Sequence, residues 1–308
     1  MKIFILPVPP LLQPQQQPFP YPAHNHDYGV EQDFLLWLQH PNQKKLITQN
    51  PQQADWHYLP VFWTRWYLNH NFAVDNAGVQ EAQEAIDKII LQGDKTFTIC
   101  QFDGGGLVKI PGWIQFLAAR TQPHQGIDIP ILCKPHTISP FTPQKKYLAS
   151  FNGAPGTNIL RKEMLEKFSN RKDIKLGSYL PTRFYLRWLG FKSFNRVMRE
   201  SWIALCPRGT SMNSFRFFEA MQLGVIPCLI GDEDARPFKN FINWNNCSFQ
   251  VNTINELEVL LNQVKPNQLL HMSQNVKNTF TNEIAYQKWC KYVIMELNAI
   301  KPTETNIL

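Results

Sequence analysis

The stretch WIALCPRGTSMNSFRFFEAMQLGVIPCLIGDE, residues 202–233, constrains the fold of this chain more than any other. Its apolar opening, Trp202 to Cys206, has the length and branched content of a buried strand. Pro207-Arg208-Gly209-Thr210-Ser211 then breaks the pattern. Phe215, Phe218, Met221 and Gln222 or Leu223 return every three or four residues, the spacing of a helix. Asn213 and Ser214 offer N-cap oxygens, and Gly224 stands where a C-cap belongs. A second apolar run, Val225 to Ile230, leads into Gly231-Asp232-Glu233-Asp234. A strand, helix and strand joined at this length favour a parallel pair.

The turn ahead of the helix suits an anion. A helix start presents unpaired N–H groups and the positive end of its dipole, and Arg208 adds a permanent, fork-shaped charge. Phosphate is the natural guest. Glu219 lies inside the helix among apolar neighbours, where it is placed to accept hydrogen bonds from the ribose of a bound nucleotide. The plainer alternative makes Arg208 and Glu219 a structural ion pair and Ser211 to Ser214 only a cap.

These residues resemble the signature of the exostosin family of glycosyltransferases: Cys206-Pro207-Arg208-Gly209, then Ser214-Phe215-Arg216, Glu219-Ala220 and Gly224-Val225-Ile226-Pro227. Further blocks are similar: the YxxExxF spacing from Tyr28 to Phe34, the ADxxxxP of Ala54 to Pro60, and a Gly loop, Asn152 to Asn158, followed by Arg161. Where relatives often carry His-Asp at a strand end, this chain has Phe102-Asp103. The resemblance covers scattered blocks from about Tyr28 to Asp234. It implies two Rossmann-like domains facing across a cleft (GT-B), a nucleotide-sugar donor, and inverting transfer without a covalent intermediate.

The rest of the chain fits an α/β protein of two domains. Its 308 residues suffice for both, and 44% hydrophobic content supports real cores. Strands are expected at Lys2–Leu6, Ala54–Pro60, Thr96–Gln101, Asp128–Cys133, Tyr147–Phe151 and Cys247–Val251. Helices are expected from Tyr28 onward, at Ala82–Leu91, Asn158–Phe168, Phe184–Glu200, Ile254–Val264, Asn267–Thr279 and Asn282–Leu297. Phe62, Trp63, Trp66 and Tyr67 form an aromatic stripe, which is core more often than a sugar platform. We place an N-terminal acceptor-side domain at residues 1–143, a nucleotide-sugar domain at 144–281, and a C-terminal helix and tail at 282–308. Ligands of such folds bind outside the carboxyl ends of the strands.

Charge and cysteine usage narrow the partners. The net charge of +7 comes without any Lys/Arg block of five or more, which argues against nucleic acid and fits a site for a nucleoside diphosphate. Arg183, Arg187, Lys192, Arg196 and Arg199 read mostly as a solvated helix face. None of the six cysteines forms a CxxC pair, so buried free thiols in a reducing compartment are expected. Pro7, Pro9 and Pro10 interrupt the apolar N-terminus, and nothing approaches a membrane-spanning run. The expected location is therefore cytoplasmic, with at most peripheral membrane contact.

The expected donor-binding residues are Arg208, Glu219, Arg161, Ser211, Ser214, Gly209 and Gly153, and the donor implied is a UDP-sugar. For the base that deprotonates the acceptor, Asp103 leads, with Glu31 second and His136 third; Lys134 and His136 share a strand-end loop. Gly104 to Gly106 permit close approach of a ligand, but Pro111-Gly112 follows too soon for a dinucleotide fingerprint. Asp232-Glu233-Asp234 follows a strand of the second domain, and no DxD stands near a strand end of the first, so neither a divalent metal nor another cofactor is expected to be required. The reading is a hexosyl- or glycuronosyltransferase type of enzyme acting on a glycan or glycolipid acceptor. Its rival is a non-catalytic nucleotide-sugar or glycan-binding protein of the same fold, with Phe102 in place of the usual His in its favour. A nicotinamide oxidoreductase is disfavoured by the lack of GxGxxG.

Overall fold

The computed structural model describes residues 1–13, 29–70, 78–132, 135–136, 143–178 and 194–300. Two compact units divide it: residues 1–134 with 286–308, and residues 135–285. The first unit holds a parallel sheet in sequential order: β1 (Ile3–Ile5), β2 (Trp56–Tyr58), β3 (Thr96–Cys100), β4 (Ile114–Leu117) and β5 (Ile127–Asp128). Continuous apolar runs such as β3, buried along its whole length, are what a parallel sheet covered on both faces demands. Helix α1 (Gly29–Gln39) lays Phe34 edge-on against Tyr58 and Phe97. The stripe of α2 (Trp63–Asn69) is core, with Trp63, Trp66 and Tyr67 at 0%, 4% and 6% exposure. Helix α3 (Val79–Asp87) covers the same cluster through Ala82 and Ile86.

Two expectations change here. Among the described residues, the run expected from Asp128 onward forms ladder pairs only at Ile127–Asp128, because its neighbour β4 ends at Leu117; Ile129 N donates to Leu117 O at 3.0 Å, and Ile131 and Leu132 are buried beyond it. Of the glycines after β3, Gly104 and Gly106 pack against aromatic rings, and Gly105, in the left-handed region at φ 73°, packs against Gln115 and Gln125. A Cβ at Gly106 would stand 2.4 Å from the Trp113 ring, and Phe102 closes over Tyr67 with ring centroids 3.8 Å apart. At Gly104 and Gly106 the missing side chain makes room for these rings.

The C-terminal segment returns to the first unit. Residues Phe280–Ile284 make a wide helical turn, and the last helix starts only at Cys290, not at Asn282. The segment is fastened by Asp33 of α1, whose Oδ2 accepts from Gln287 N (2.7 Å) and Trp289 Nε1 (2.8 Å), with Cys290 Sγ at 3.7 Å. The described residues 282–300 are thus divided between the two units at 285/286. Burial, against these hydrogen bonds, pushes the Asp33 carboxyl up to about 6. A carboxyl raised by folding binds its proton more tightly in the native state, so its contribution to stability is complete below about pH 4 and is lost as pH rises through 6. Asp33→Asn keeps an acceptor for Gln287 and Trp289 and removes the buried charge. Relative to the variant, the wild type is expected to lose on the order of 3 kcal/mol between pH 4 and pH 7. Urea unfolding of both proteins at the two pH values measures this; a difference independent of pH would contradict it.

The second unit carries β6 (Tyr147–Gly153), β7 (Ile174–Ser178), β8 (Ser201–Pro207), β9 (Ile226–Ile230) and β10 (Phe249–Val251), all parallel, in the order β10-β9-β8-β6-β7. Its helices are α4 (Ile159–Lys167), α5 (Phe215–Gln222), α6 (Ile254–Gln263) and α7 (Pro266–Thr279). The chain runs outward from β6 to β7, then returns to place β8 on the other side of β6. The carboxyl ends of β6 and β8 therefore flank a topological switch point, where open α/β sheets leave a crevice.

Strands β4 and β7 were not expected from the sequence. Of the expected basic helix Phe184–Glu200, residues 194–199 are helical, Glu200 follows in a turn, and residues 184–193, with Arg183, Arg187 and Lys192, lie outside the described residues. Among the described cysteines all five are free and buried. No helix among the described residues is long and apolar enough to cross a membrane.

Candidate functional site

The strand β8, the turn after it and α5 form as their sequence dictates. Ser214 caps α5 by accepting from Arg216 N at 3.3 Å; Asn213 Oδ1 accepts from Ser214 N at 2.8 Å, and Ser211 Oγ donates to Asn213 O at 3.1 Å. Leu223 ends the helix and Gly224 takes the left-handed conformation, φ 70°, that a C-cap requires. Asn158 caps α4 through Leu160 N (3.0 Å) and donates to Gly209 O (3.2 Å), so the starts of α4 and α5 are tied together beside the switch point.

Three guanidinium groups surround this turn. Arg208 pairs with Asp232, also reaches Thr210 O at 3.4 Å, and keeps a buried Nε without a hydrogen-bond partner. Arg161, expected to face an anion from the first turn of α4, instead donates to the carbonyls of Ala154 (3.0 Å), Arg208 (3.1 Å) and Pro207 (3.3 Å). Burial, and then the neighbouring Arg216 cation, bring Arg161 down to about 10. It holds the turn in shape and adds positive potential to it.

Arg216 is the group that reading the residues left out of the site, although the SxR motif had marked its position. Its Nη2 donates to Asn152 O, and its guanidinium lies 4.6 Å from the Phe151 ring centroid and 5.5 Å from that of Phe194. Nε is buried without a hydrogen-bond partner. Burial lowers its pKa, while the nearby Cys206 and Glu219 act in the opposite direction. A Cβ on Gly153 would lie 2.5 Å from Arg216 Nη2, so the glycine's part is to seat this guanidinium at the end of β6.

Glu219 does not pair with Arg208, which corrects the plain ion-pair alternative. Its Oε1 stands 3.0 Å from His136 Nε2, with both side chains about 95% buried, at 4% and 5% exposure. His136, expected on the acceptor side, belongs to the second unit. It donates its backbone N–H to Gln222 Oε1 (3.0 Å), and Asn195 Nδ2 lies 3.4 Å from its Nδ1. Lys134 lies outside the described residues.

In the first unit the two acidic candidates have different settings. Glu31, at 0% exposure, accepts from Thr64 N (3.2 Å), Thr64 Oγ1 (3.0 Å) and Gln101 N (2.9 Å). It caps α2, whose own N-cap side chain makes no such bond. Asp103 is half-buried just past the end of β3, and among the described residues its carboxylate has no hydrogen-bond or ion-pair partner. Asp234, like Asp232, is engaged by an arginine: Arg236 binds it through Nε at 2.9 Å and Nη2 at 2.8 Å.

An Exostosin GT47 domain matches residues 113–264, which include β6 to β10 and every residue of the turn cluster. The chain carries an Exostosin GT47 domain. Its relatives include a "Probable glycosyltransferase" of Arabidopsis thaliana, 26% identical over 81% of this chain and 52% of the relative. A "Probable glucuronosyltransferase" of Oryza sativa subsp. japonica is 29% identical over 38% of this chain and 26% of its own length. The Exostosin-1 homolog of Caenorhabditis elegans is 26% identical over 46% and 42%. The chain thus spans about half the length of the Arabidopsis relative. Among solved structures, S. aureus TarM in complex with fondaparinux, alpha-GlcNAc-glycerol and UDP aligns with TM-score 0.37 at 9% identity over 70% of this chain and 58% of that one.

Proposed function

We propose that this chain is a glycosyltransferase that moves a sugar from a UDP-sugar to a glycan or glycolipid acceptor, with inversion and without a required metal. One observation carries the reading: three guanidinium groups and the starts of two helices converge at the carboxyl ends of β6 and β8. That arrangement suits a pyrophosphate. The names of the Arabidopsis and Oryza relatives support the class of reaction.

The chemistry follows from the charge. The acceptor oxygen forms a bond to the anomeric carbon as the bond from that carbon to the β-phosphate oxygen breaks, and UDP departs with the electron pair. Fixed cations that meet the developing charge lower the barrier without reorganising, and Arg208 and Arg216, each with a buried Nε lacking a hydrogen-bond partner, are suited to the task. Glu219 receives the ribose hydroxyls. The acceptor proton passes to the carboxylate of Asp103 as the hydroxyl attacks. A single displacement of this kind inverts the anomeric centre. Metal independence is supported by the pairing of Asp234 with Arg236.

Arg208 is held in this structure by a carboxylate that a phosphate has to displace. The Asp232 side chain is 64% exposed, so the pair is a weak one and easily exchanged. Asp232→Asn is expected to tighten UDP binding by about two- to fivefold in calorimetric titration, consistent with a surface ion pair; weaker binding would mean that Asp232 itself contacts the ligand. For the activity, hydrolysis and transfer are assayed across a panel of UDP-sugars with and without a chelator. Turnover of one donor in the presence of chelator is the expected result. Binding of UDP without turnover of any donor would favour the rival binding protein, which the Phe102 ring stacked on Tyr67, where relatives often carry His, keeps in view.

A further inference from the structure

We infer that His136 is a positioning residue for nucleotide recognition, its imidazole holding the Glu219 carboxylate in the orientation that receives the ribose hydroxyls. The inference rests on the nucleotide reading above and adds a residue that the reading does not need. It also replaces the role of acceptor-side base for which His136 was a candidate.

The geometry is that of a clamp. Glu219 and Gln222 lie three residues apart on α5 and so share a face of the helix. Gln222 Oε1 accepts the backbone N–H of His136 at 3.0 Å, and Glu219 Oε1 meets Nε2 of the same residue at 3.0 Å. The ring is therefore fixed to α5 at its backbone and at its far nitrogen. Asn195 closes the third side, with Nδ2 3.4 Å from His136 Nδ1. An amide N–H directed at Nδ1 requires that nitrogen to accept, which leaves the ring proton on Nε2, directed at Glu219. A carboxylate on a helix otherwise turns about its terminal torsion. Here a charge-assisted bond to a ring that is 5% exposed limits that turning. Two carboxylate oxygens offer about four acceptor directions, so a bond to His136 is compatible with bonds to a ribose. A base would have to present a nitrogen to the acceptor, whereas both nitrogens of this ring face protein groups.

The test is calorimetric titration of the full chain with UDP and with 2′,3′-dideoxy-UDP, which lacks the hydroxyls assigned to Glu219. Wild type is expected to prefer UDP by roughly ten- to a hundredfold, the range for hydrogen bonds to a charged group. In His136→Asn the amide nitrogen falls near the place of Nδ1 and does not reach Glu219. The preference is expected to drop to below about threefold, with dideoxy-UDP affinity unchanged. In His136→Gln the amide reaches the place of Nε2 and the preference is expected to return to within about threefold of wild type. A residue that only supports the fold would scale both affinities together, so an unchanged preference in His136→Asn overturns the inference. Should that variant not fold, Asn195→Ala loosens the ring and is read by the same ratio, a lower preference supporting the clamp and an unchanged one refuting it. Wild type that binds UDP without preference over the dideoxy compound, or binds neither, removes the ribose reading first and the clamp with it. Wild type that discriminates while His136→Asn does so equally removes the clamp alone.

Discussion

Asp103→Asn is expected to leave UDP affinity within about twofold of wild type and to lower transfer by about a hundred- to ten-thousandfold, the range for loss of a general base. The expectation follows from elimination by setting. Glu31 is enclosed at 0% exposure and accepts from Thr64 and Gln101, and His136 is held against Glu219 in the other unit. Asp103 remains, half-buried beyond β3 and, among the described residues, with no hydrogen-bond or ion-pair partner for its carboxylate. Replacing the carboxylate by an amide keeps size and removes proton affinity. Steady-state transfer rates of the purified variant, beside its UDP affinity, check the point. Turnover near the wild-type level would show that another group takes the proton.

Arg208→Ala carries the other large effect. It is expected to weaken UDP binding by about 1.5–3 kcal/mol, as for loss of a hydrogen bond to a charged group, which is roughly ten- to a hundred-and-fiftyfold in Kd. Fold stability is expected to change little, because the ion pair lost is to the exposed Asp232. Arg208→Lys is expected to recover only part of the affinity, since an ammonium lacks the planar fork that engages two phosphate oxygens together. Arg161 cannot supply this replacement, because its donors hold the carbonyls of Ala154, Pro207 and Arg208. Calorimetry of the two variants against wild type, with melting temperatures alongside, separates a binding effect from a folding one.

Much of the second unit was legible in its sequence. From Trp202 to Ile230 the strand, the Ser214 cap, the helix, the Gly224 stop and the parallel second strand all stand within a residue or two of where local chemistry placed them. There the turn residues, the capping residues and the hydrophobic period agree with one another. Strand β4 was not legible, because Ile114-Gln115-Phe116-Leu117 is four residues long and gains its identity only from pairing with β3. The pairing of Ile127–Asp128 alone, within an apolar run that continues, was likewise decided by where a neighbouring strand ends. The partners of charged groups were the least legible. Asp232 is 24 residues from Arg208, and His136 is 83 from Glu219, distances at which no local pattern operates. Glycine had two readings, and packing settled them: Gly106 makes room for Trp113 and Gly153 for Arg216.

The central claim is that the turn between β8 and α5 grips a pyrophosphate, and the most direct measurement is a crystal structure of the chain soaked with UDP. The account predicts the two phosphates beside Arg208 and Arg216 at the start of α5, Asp232 released from Arg208, and the ribose against Glu219. UDP bound elsewhere, with the Arg208 to Asp232 pair intact, would contradict it.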